Sequence, residues 1–126
     1  MAVRTILIVD DEDDIREVTR VSLELVGGWT VAAAGSGKDA LAEAKAAQPD
    51  AILLDVMMPD MDGPATFLAL QADAATRHIP VILLTAKIQA ADRLRFSEMG
   101  VSGVLAKPFD PMTLPSQVAE VLSWSL

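Results

Sequence analysis

Short apolar runs alternate along the chain with longer segments of helical periodicity. The runs predict strands over residues 4–9, 29–34, 50–54, 79–84 and 101–106. Strands that alternate with helices are typical of an α/β fold, in which right-handed crossovers place helices on both faces of a parallel sheet. We therefore predict a single-domain, doubly wound sheet of five parallel strands.

The first helix is predicted over residues 13–26, and the glycine pair Gly27-Gly28 ends it. Residues three or four positions apart share one face of a helix, so the apolar spacing defines an inward face. The residues expected on that face are Ile15, Val18, Ser22 and Leu25.

Capping residues and prolines mark the starts of the other helices. Ser36 can cap the second helix while Asp39 reaches back to it, and Pro64 suits the first turn of the third. The fourth helix is predicted over residues 89–99, and the fifth begins near Pro115. The side chains expected to point inward from the second and third helices are Leu41, Ala44, Phe67, Leu68 and Leu70.

Polar residues follow four of the apolar runs. Asp10 and Asp11 follow the first run, Asp55 the third, Thr85 the fourth and Lys107 the last. Because parallel strands end at one edge of a sheet, where ligands bind, we expect these side chains to meet there. Two carboxylates about 4 Å apart repel by roughly 4 kcal/mol at an effective dielectric near 20, so the cluster needs a cation. An all-oxygen site suits Mg²⁺.

A carboxylate beside such an ion can attack phosphorus and form an aspartyl phosphate. Lys107 supplies a cation for one phosphoryl oxygen and Thr85 a hydroxyl donor for another. The strand ends therefore predict phosphoryl chemistry.

Composition narrows the class of protein. The chain has 126 residues, 52% hydrophobic and 22% charged, which fits one globular domain, and we expect residues 1–126 to form it without an output domain. The net charge of −8 argues against direct nucleic-acid binding, which needs clustered lysine and arginine. The apolar runs are too short to span a membrane, and no signal peptide is evident. We expect a cytoplasmic protein without membrane contact.

The segments around the strand ends closely resemble the receiver domain of two-component response regulators. The match covers essentially the whole chain, in order and at the family's spacing. The resemblance implies the CheY-like, flavodoxin-like strand order 2-1-3-4-5, which alternation alone does not fix. The matching segments are Ile8-Val9-Asp10-Asp11, residues 54–63, Leu84-Thr85-Ala86-Lys87 and Lys107-Pro108-Phe109.

The resemblance also implies a role for each site residue. Asp55 is the phosphoacceptor, and Asp10, Asp11 and the backbone carbonyl of Met57 bind Mg²⁺ with it. The phosphoryl group comes from a sensor histidine kinase or a histidine phosphotransfer protein. Phosphorylation changes the conformation and the binding of a downstream protein, which the sequence does not identify. The sequence leaves open whether the protein is a monomer or a weak dimer.

The switch region implied by the resemblance comprises Thr85, Ala86, Val104 and Pro108. Thr85 moves toward the phosphoryl group, and the peptide bond between Lys107 and Pro108 is cis. Val104 is a departure, because the family has an aromatic residue there. Valine is stiff at χ1 and cannot swing as a ring does, so the signal could leave through the loop after Thr85 or through the fourth helix.

Two further interpretations remain from the sequence. One is a Mg²⁺-dependent aspartyl-phosphate phosphatase or phosphotransferase acting on an external substrate. Such enzymes usually have a second carboxylate two residues after the nucleophile, where this chain has Met57, so we expect no turnover enzyme. The other is the N-terminal receiver fragment of a larger transcriptional regulator.

Met57 and Lys87 also occupy positions that tune dephosphorylation in the family.

Overall fold

The computed structural model describes residues 3–86 and 89–125. Strands and helices alternate through this part of the chain, and each predicted strand is present, beginning one or two residues later than expected. Lys87 lies outside the described residues. The elements are β1 Thr5–Val9, α1 Asp13–Val21 continued by a π-helical turn Ser22–Val26, β2 Thr30–Ala34, α2 Gly37–Ala47, β3 Ala51–Asp55, α3 Gly63–Ala72, β4 Val81–Thr85, α4 Ala90–Met99, β5 Gly103–Ala106 and α5 Leu114–Leu122.

The strands form one parallel sheet in the order β2-β1-β3-β4-β5, which confirms the order implied by the resemblance. Its register decides which residues meet at the carboxyl edge. Val9 pairs with Leu54, so Asp10 and Asp55 end neighbouring strands at the same level. Thr85 pairs with Ala106, which places Lys107 one step beyond the end of β4.

The sheet separates two apolar cores. Along β1, Leu7 and Val9 face the core beneath α2, α3 and α4, whereas Ile6 and Ile8 face the core shared with α1 and α5. Each large aliphatic side chain buried in this way contributes about 1.5–3 kcal/mol. Because a core packs against each face of the sheet, the strand ends and the polar residues that follow them have defined positions. Among the described residues, no helix combines the length and the apolar character that a membrane span requires.

The predicted inward face of the first helix was wrong for Val18 and Leu25, whose side chains are 46% and 80% exposed. Ser22 is buried as predicted and Ile15 is half-buried, and the other buried residues of this segment are Thr19 and Leu23. The Thr19 hydroxyl donates to the backbone carbonyl four residues earlier, at 2.7 Å, and the Ser22 hydroxyl donates to a carbonyl in the loop before α5. These hydrogen bonds satisfy both hydroxyls, so polar residues can occupy the interface while valine and leucine face outward.

The predicted helix starts are confirmed for α2 and α3. The Asp39 amide donates to the Ser36 hydroxyl at 3.1 Å, and Asp62 accepts from the Ala65 amide at 2.8 Å. The prediction that Leu68 faces inward was wrong, since this residue is 57% exposed. The buried face of α3 consists of Gly63, Thr66, Phe67 and Leu70. Successive residues point in different directions around a helix, so Leu68, which follows Phe67, points away from this face.

Gly63 lets the loop after β3 fold back against the strand. A Cβ at this position would lie 2.5 Å from the Asp55 carbonyl oxygen and 2.8 Å from the Val56 Cα, and neither backbone atom can move aside cheaply. We expect Gly63→Ala to lower the free energy of unfolding by about 1–3 kcal/mol in urea denaturation. Gly35→Ala is the control, because the nearest atom, 3.4 Å away, is a guanidinium nitrogen of Arg16. Equal losses in the two variants would contradict the steric argument.

Candidate functional site

The polar residues predicted from the strand ends meet at one edge of the sheet. Asp55 and Thr85 are the last residues of β3 and β4, whereas Asp10 and Lys107 directly follow β1 and β5. Asp10, Asp55 and Thr85 are buried. The Lys107 ammonium lies 3.0 Å from Asp10 Oδ2 and 3.3 Å from Asp55 Oδ1, so it bridges the two carboxylates. The structure thus brings together side chains that lie up to 97 residues apart.

The carboxylates of Asp10, Asp11 and Asp55 form a cluster that could hold a cation. Each offers an oxygen, and these oxygens lie within 4.8 Å of one another. Asp10 and Asp55 are buried while Asp11 is exposed, so the cluster opens toward solvent on one side. Closely spaced carboxylate oxygens are the donors that a hard ion such as Mg²⁺ takes, with water completing its shell. The residues present therefore fit the predicted Mg²⁺ site.

Hydrogen bonds orient the Asp10 carboxylate within this cluster. The Glu12 amide donates to Asp10 Oδ1 at 2.9 Å, and the Lys107 ammonium donates to Oδ2. The Asp10 amide donates to the Ala34 carbonyl at 3.2 Å, which ties the end of β1 to the end of β2. Asp10 is therefore held by its backbone and by both carboxylate oxygens.

Burial and charge act against each other on the two central ionisable groups. Burial raises the pKa of Asp55, Lys107 opposes this with its positive charge, and the negative charge of Asp10 adds to the rise. Burial lowers the pKa of Lys107, but hydrogen bonding to Asp10 and the charges of both aspartates outweigh it and raise the pKa overall. The charged form of Lys107 is therefore favoured, whereas ionisation of Asp55 costs folding free energy.

Ionised Asp55 should destabilise the folded protein when no metal is bound. Because its pKa is raised in the folded state, ionised Asp55 lowers the free energy of unfolding at neutral pH. This loss of stability disappears as the pH falls through the raised pKa to the ordinary value of 3.8. We expect Asp55→Asn to raise the free energy of unfolding in Mg²⁺-free buffer at neutral pH, on the order of 1 kcal/mol. Urea denaturation at several pH values measures it, and the difference should shrink in acid.

Glu98→Gln is the control for this prediction, because Glu98 is exposed on α4 and far from the cluster in sequence. It should leave the unfolding free energy nearly unchanged. An Asp55→Asn protein that is less stable than the wild type without Mg²⁺ would contradict a raised pKa at this position.

Met57 lies beside Asp55, the predicted phosphoacceptor. Its amide hydrogen bonds to the Asp55 carboxylate, which lowers the pKa of that group, and its side chain is 75% exposed. This contact places the Met57 backbone next to the Asp55 side chain. The role of the Met57 carbonyl as a Mg²⁺ ligand stays a prediction.

A cavity of about 450 Å³ opens beside Asp55 and Lys107. Sequence reasoning missed its apolar wall, since Val18 was expected inside the core. The signal available in the sequence was the spacing of Ile15 and Val18, three positions apart on one helix face and only a few residues after Asp10 and Asp11. Side chains that contribute apolar surface to the cavity are Ile15, Val18, Met57, Pro108 and Phe109.

The predicted switch residues surround the same edge. Thr85 is buried, its carbonyl accepts from the Lys107 amide at 2.9 Å, and exposed Ala86 lines the cavity. The peptide bond between Lys107 and Pro108 is cis, as the resemblance implies. Val104 is half-buried, pairs with Leu83 in β4 and packs against the core beneath α4. The position of the family's aromatic residue is thus occupied by an ordinary core side chain.

Comparison with known proteins identifies the family. A family model described as the response regulator receiver domain matches residues 6–119. The response regulator PleD of Caulobacter vibrioides is 42% identical over 123 residues, 96% of this chain and 26% of that protein. The phosphate regulon transcriptional regulatory protein PhoB of Pseudomonas aeruginosa is 38% identical over 122 residues, 97% of this chain and 53% of that protein.

A solved structure agrees with the fold. The chemotaxis response regulator CheY4 of Vibrio cholerae has a TM-score of 0.88 at 32% identity, covering 95% of this chain and 99% of that chain. The chain spans about half or less of the length of the curated relatives described above. The strand order, the carboxylate cluster with its bridging lysine and the family match agree, and the chain belongs to the receiver domain family of two-component response regulators.

Proposed function

We propose that this receiver accepts a phosphoryl group on Asp55 with the help of Mg²⁺ and changes its partner binding as a result. The observation that carries the proposal is the cluster of Asp10, Asp11 and Asp55 oxygens within 4.8 Å, with the Lys107 ammonium 3.3 Å from Asp55. A nucleophilic carboxylate, further carboxylates for a metal and a cation for the transferred group are the parts that phosphoryl transfer requires.

The chemistry follows from these positions. An Asp55 carboxylate oxygen attacks phosphorus while the bond from phosphorus to the donor atom breaks and the leaving group keeps the electron pair. The leaving group is an imidazole from a phosphohistidine or acetate from acetyl phosphate. Mg²⁺ held by the three aspartates would neutralise charge on the phosphoryl oxygens. Lys107 and the Thr85 hydroxyl would contact the other phosphoryl oxygens.

Phosphorylation should switch the protein by changing the partner of Lys107. In the structure this lysine bridges Asp10 and Asp55. A phosphoryl group on Asp55 offers stronger acceptors, so Lys107 and Thr85 would both turn to it and favour a second conformation. Since Val104 has no ring to rotate, the change would leave through the loop after Thr85 or through α4. A shift from mostly off to mostly on needs about 5.5 kcal/mol of differential stabilisation.

The phosphodonor would be a sensor histidine kinase or a histidine phosphotransfer protein in the cytoplasm, where kinases find ATP. The names of two kinds of relatives, PhoB and the probable transcriptional regulator ycf27 of Guillardia theta, describe transcriptional regulators. The chain could therefore be the receiver of a larger regulator or a stand-alone receiver. In either setting it would contact a protein target and not nucleic acid directly, because its net charge is −8. Its oligomeric state would be monomer or weak dimer.

An enzyme acting on external phosphoesters is the competing function. The position two residues after Asp55, where such enzymes usually carry an acid/base carboxylate, is Met57. We therefore propose that the phosphoryl group goes to Asp55 and then to water, without repeated turnover on another substrate. Release of many phosphates per chain from a small phosphoester would favour the enzyme instead.

The test is intact-mass spectrometry after incubation with acetyl phosphate and Mg²⁺, and separately with a phosphorylated histidine kinase. We expect one phosphoryl group per chain, stable in acid and labile in base, as an acyl phosphate is. A matched reaction with excess chelator should give no adduct. Absence of the adduct with both donors, or its formation in chelator, would overturn the proposal.

A further inference from the structure

Arg16 of α1 reaches back to the loop that carries the two adjacent aspartates of the site. Its Nη1 donates to the Asp10 backbone carbonyl at 2.6 Å, and its Nη2 donates to Asp13 Oδ1 at 2.5 Å. We infer that Arg16 is a positioning residue for the metal site, one that fixes the backbone between Asp10 and Asp11. This inference rests on the proposed function, because it concerns the same Mg²⁺ site.

Arg16 holds the peptide group between the two adjacent aspartates. The Asp10 carbonyl belongs to the planar peptide unit that links Asp10 to Asp11, so a bond to that oxygen fixes the rotation of the unit. A bond to this oxygen restrains the ψ dihedral of Asp10 and the φ dihedral of Asp11, the two backbone rotations that lie between the Cα atoms carrying the two carboxylates, and so restrains how far apart the carboxylates lie. Arg16 contacts neither carboxylate oxygen of Asp10 in the hydrogen bonds described, so it would act through the backbone.

The surroundings of Arg16 keep its side chain in place. Its side chain is 24% exposed, and the guanidinium lies against Gly35 after β2, where a Cβ would be 3.4 Å from Nη1. The fork of the guanidinium engages two acceptors at once, a carbonyl and a carboxylate, which a single ammonium cannot match. A planar group held on three sides is suited to fixing a loop.

Arg20 lies one turn further along α1, and its hydrogen bonds go to glutamates and not to the Asp10 carbonyl. It forms ion pairs with Glu17 and Glu24 on its own helix, and its side chain is 38% exposed. Exposed pairs of this kind contribute little to stability. Both arginines lie on α1 and form ion pairs with nearby acidic residues. They differ in that Arg16 also donates a hydrogen bond to the Asp10 carbonyl.

Positioning and simple charge predict opposite changes in metal affinity. Arg16 carries a positive charge near the cluster, so if it acted through charge alone, its removal would strengthen Mg²⁺ binding. If it positions the aspartates, its removal weakens binding. Partners that orient metal ligands are typically worth about 10–100-fold in affinity. The sign of the change therefore separates the two explanations.

The experiment is calorimetric titration of the unphosphorylated chain with Mg²⁺. We expect Arg16→Ala to raise the Kd about tenfold, Arg16→Lys to fall between this variant and the wild type, and Arg20→Ala to match the wild type. At saturating Mg²⁺, Arg16→Ala should be phosphorylated at nearly the wild-type rate, because the groups that touch the phosphoryl group are intact. In Mg²⁺-free NMR spectra the Asp11 amide should shift, since it belongs to the peptide unit that Arg16 holds.

The outcomes separate this inference from the proposed function. If the wild type binds Mg²⁺ and Arg16→Ala binds it equally or more tightly, the positioning role is overturned while the metal site stands. Equal weakening in Arg16→Ala and Arg20→Ala would also overturn it. If the wild type binds no Mg²⁺, the proposed function fails and the inference fails with it. Should Arg16→Ala not fold, Arg16→Gln serves the same comparison.

Discussion

Asp55→Asn is expected to reduce phosphorylation by acetyl phosphate to less than about one hundredth of the wild-type rate, because the amide lacks the nucleophilic oxygen. The change is nearly isosteric, so the buried end of β3 should keep its packing. Because the pKa of Asp55 is raised in the folded protein, the variant should fold at least as well as the wild type in the absence of Mg²⁺. Loss of phosphorylation could then be attributed to chemistry. Intact-mass spectrometry over a time course measures the rate.

Asp50→Asn provides the matched control for this prediction. Asp50 precedes the opposite end of β3, is exposed, and accepts a hydrogen bond from the Thr5 amide at 2.7 Å. It tests the same substitution at the other end of the same strand, and it should leave phosphorylation unchanged. An Asp55→Asn protein that still takes up a phosphoryl group at the wild-type rate would show that another residue is the acceptor.

Asp11→Ala is expected to weaken Mg²⁺ binding by at least about tenfold. Asp11 is exposed while Asp10 and Asp55 are buried, so its removal takes one oxygen from the cluster without opening the core. Phosphorylation at low Mg²⁺ should fall in parallel and recover partly as Mg²⁺ is raised. Calorimetric titration gives the affinity directly.

Asp14→Ala is the control, because it removes the same charge from an exposed position in the first turn of α1. It should weaken Mg²⁺ binding much less, by the loss of long-range attraction alone. Equal weakening in the two variants would mean that diffuse negative charge attracts the ion, and Asp11 would lose its role as a ligand.

The candidate site was predictable from the sequence because each of its strands ends where its apolar run ends. Asp10, Asp55, Thr85 and Lys107 could be placed on one edge from this pattern, and the structure brings them together. The alternation of strands and helices did not fix the strand order. That order came from the resemblance, and it decides that Asp10 and Asp55 are neighbours.

The faces of the helices were harder to predict. Thr19 was missed because its burial depends on a hydrogen bond from its hydroxyl to a backbone carbonyl, and a hydrophobic pattern does not register such a bond. Val18 is exposed beside the cavity, where its apolar surface forms part of the wall near Asp55. Apolar residues that the core does not use were thus misassigned to it.

Arg16 shows a second limit of sequence reasoning. Three positions after Asp13, it has the spacing of an ordinary surface ion pair within a helix. Its bond to the Asp10 carbonyl depends on how the chain turns from β1 into α1, which only coordinates reveal. A hydrogen bond from a side chain to a backbone atom outside its own helix does not produce a periodic pattern in the sequence, so it cannot be predicted from such a pattern.

Locating the phosphoryl group in the chain tests directly whether Asp55 is the phosphoacceptor. The protein is phosphorylated with acetyl phosphate and Mg²⁺, reduced with borohydride, which converts an aspartyl phosphate to homoserine, and mapped by peptide mass spectrometry. If Asp55 is the phosphoacceptor, homoserine is expected at position 55 in the wild type. Homoserine at position 10 or 11, or a phosphoryl group on any other side chain, would contradict it.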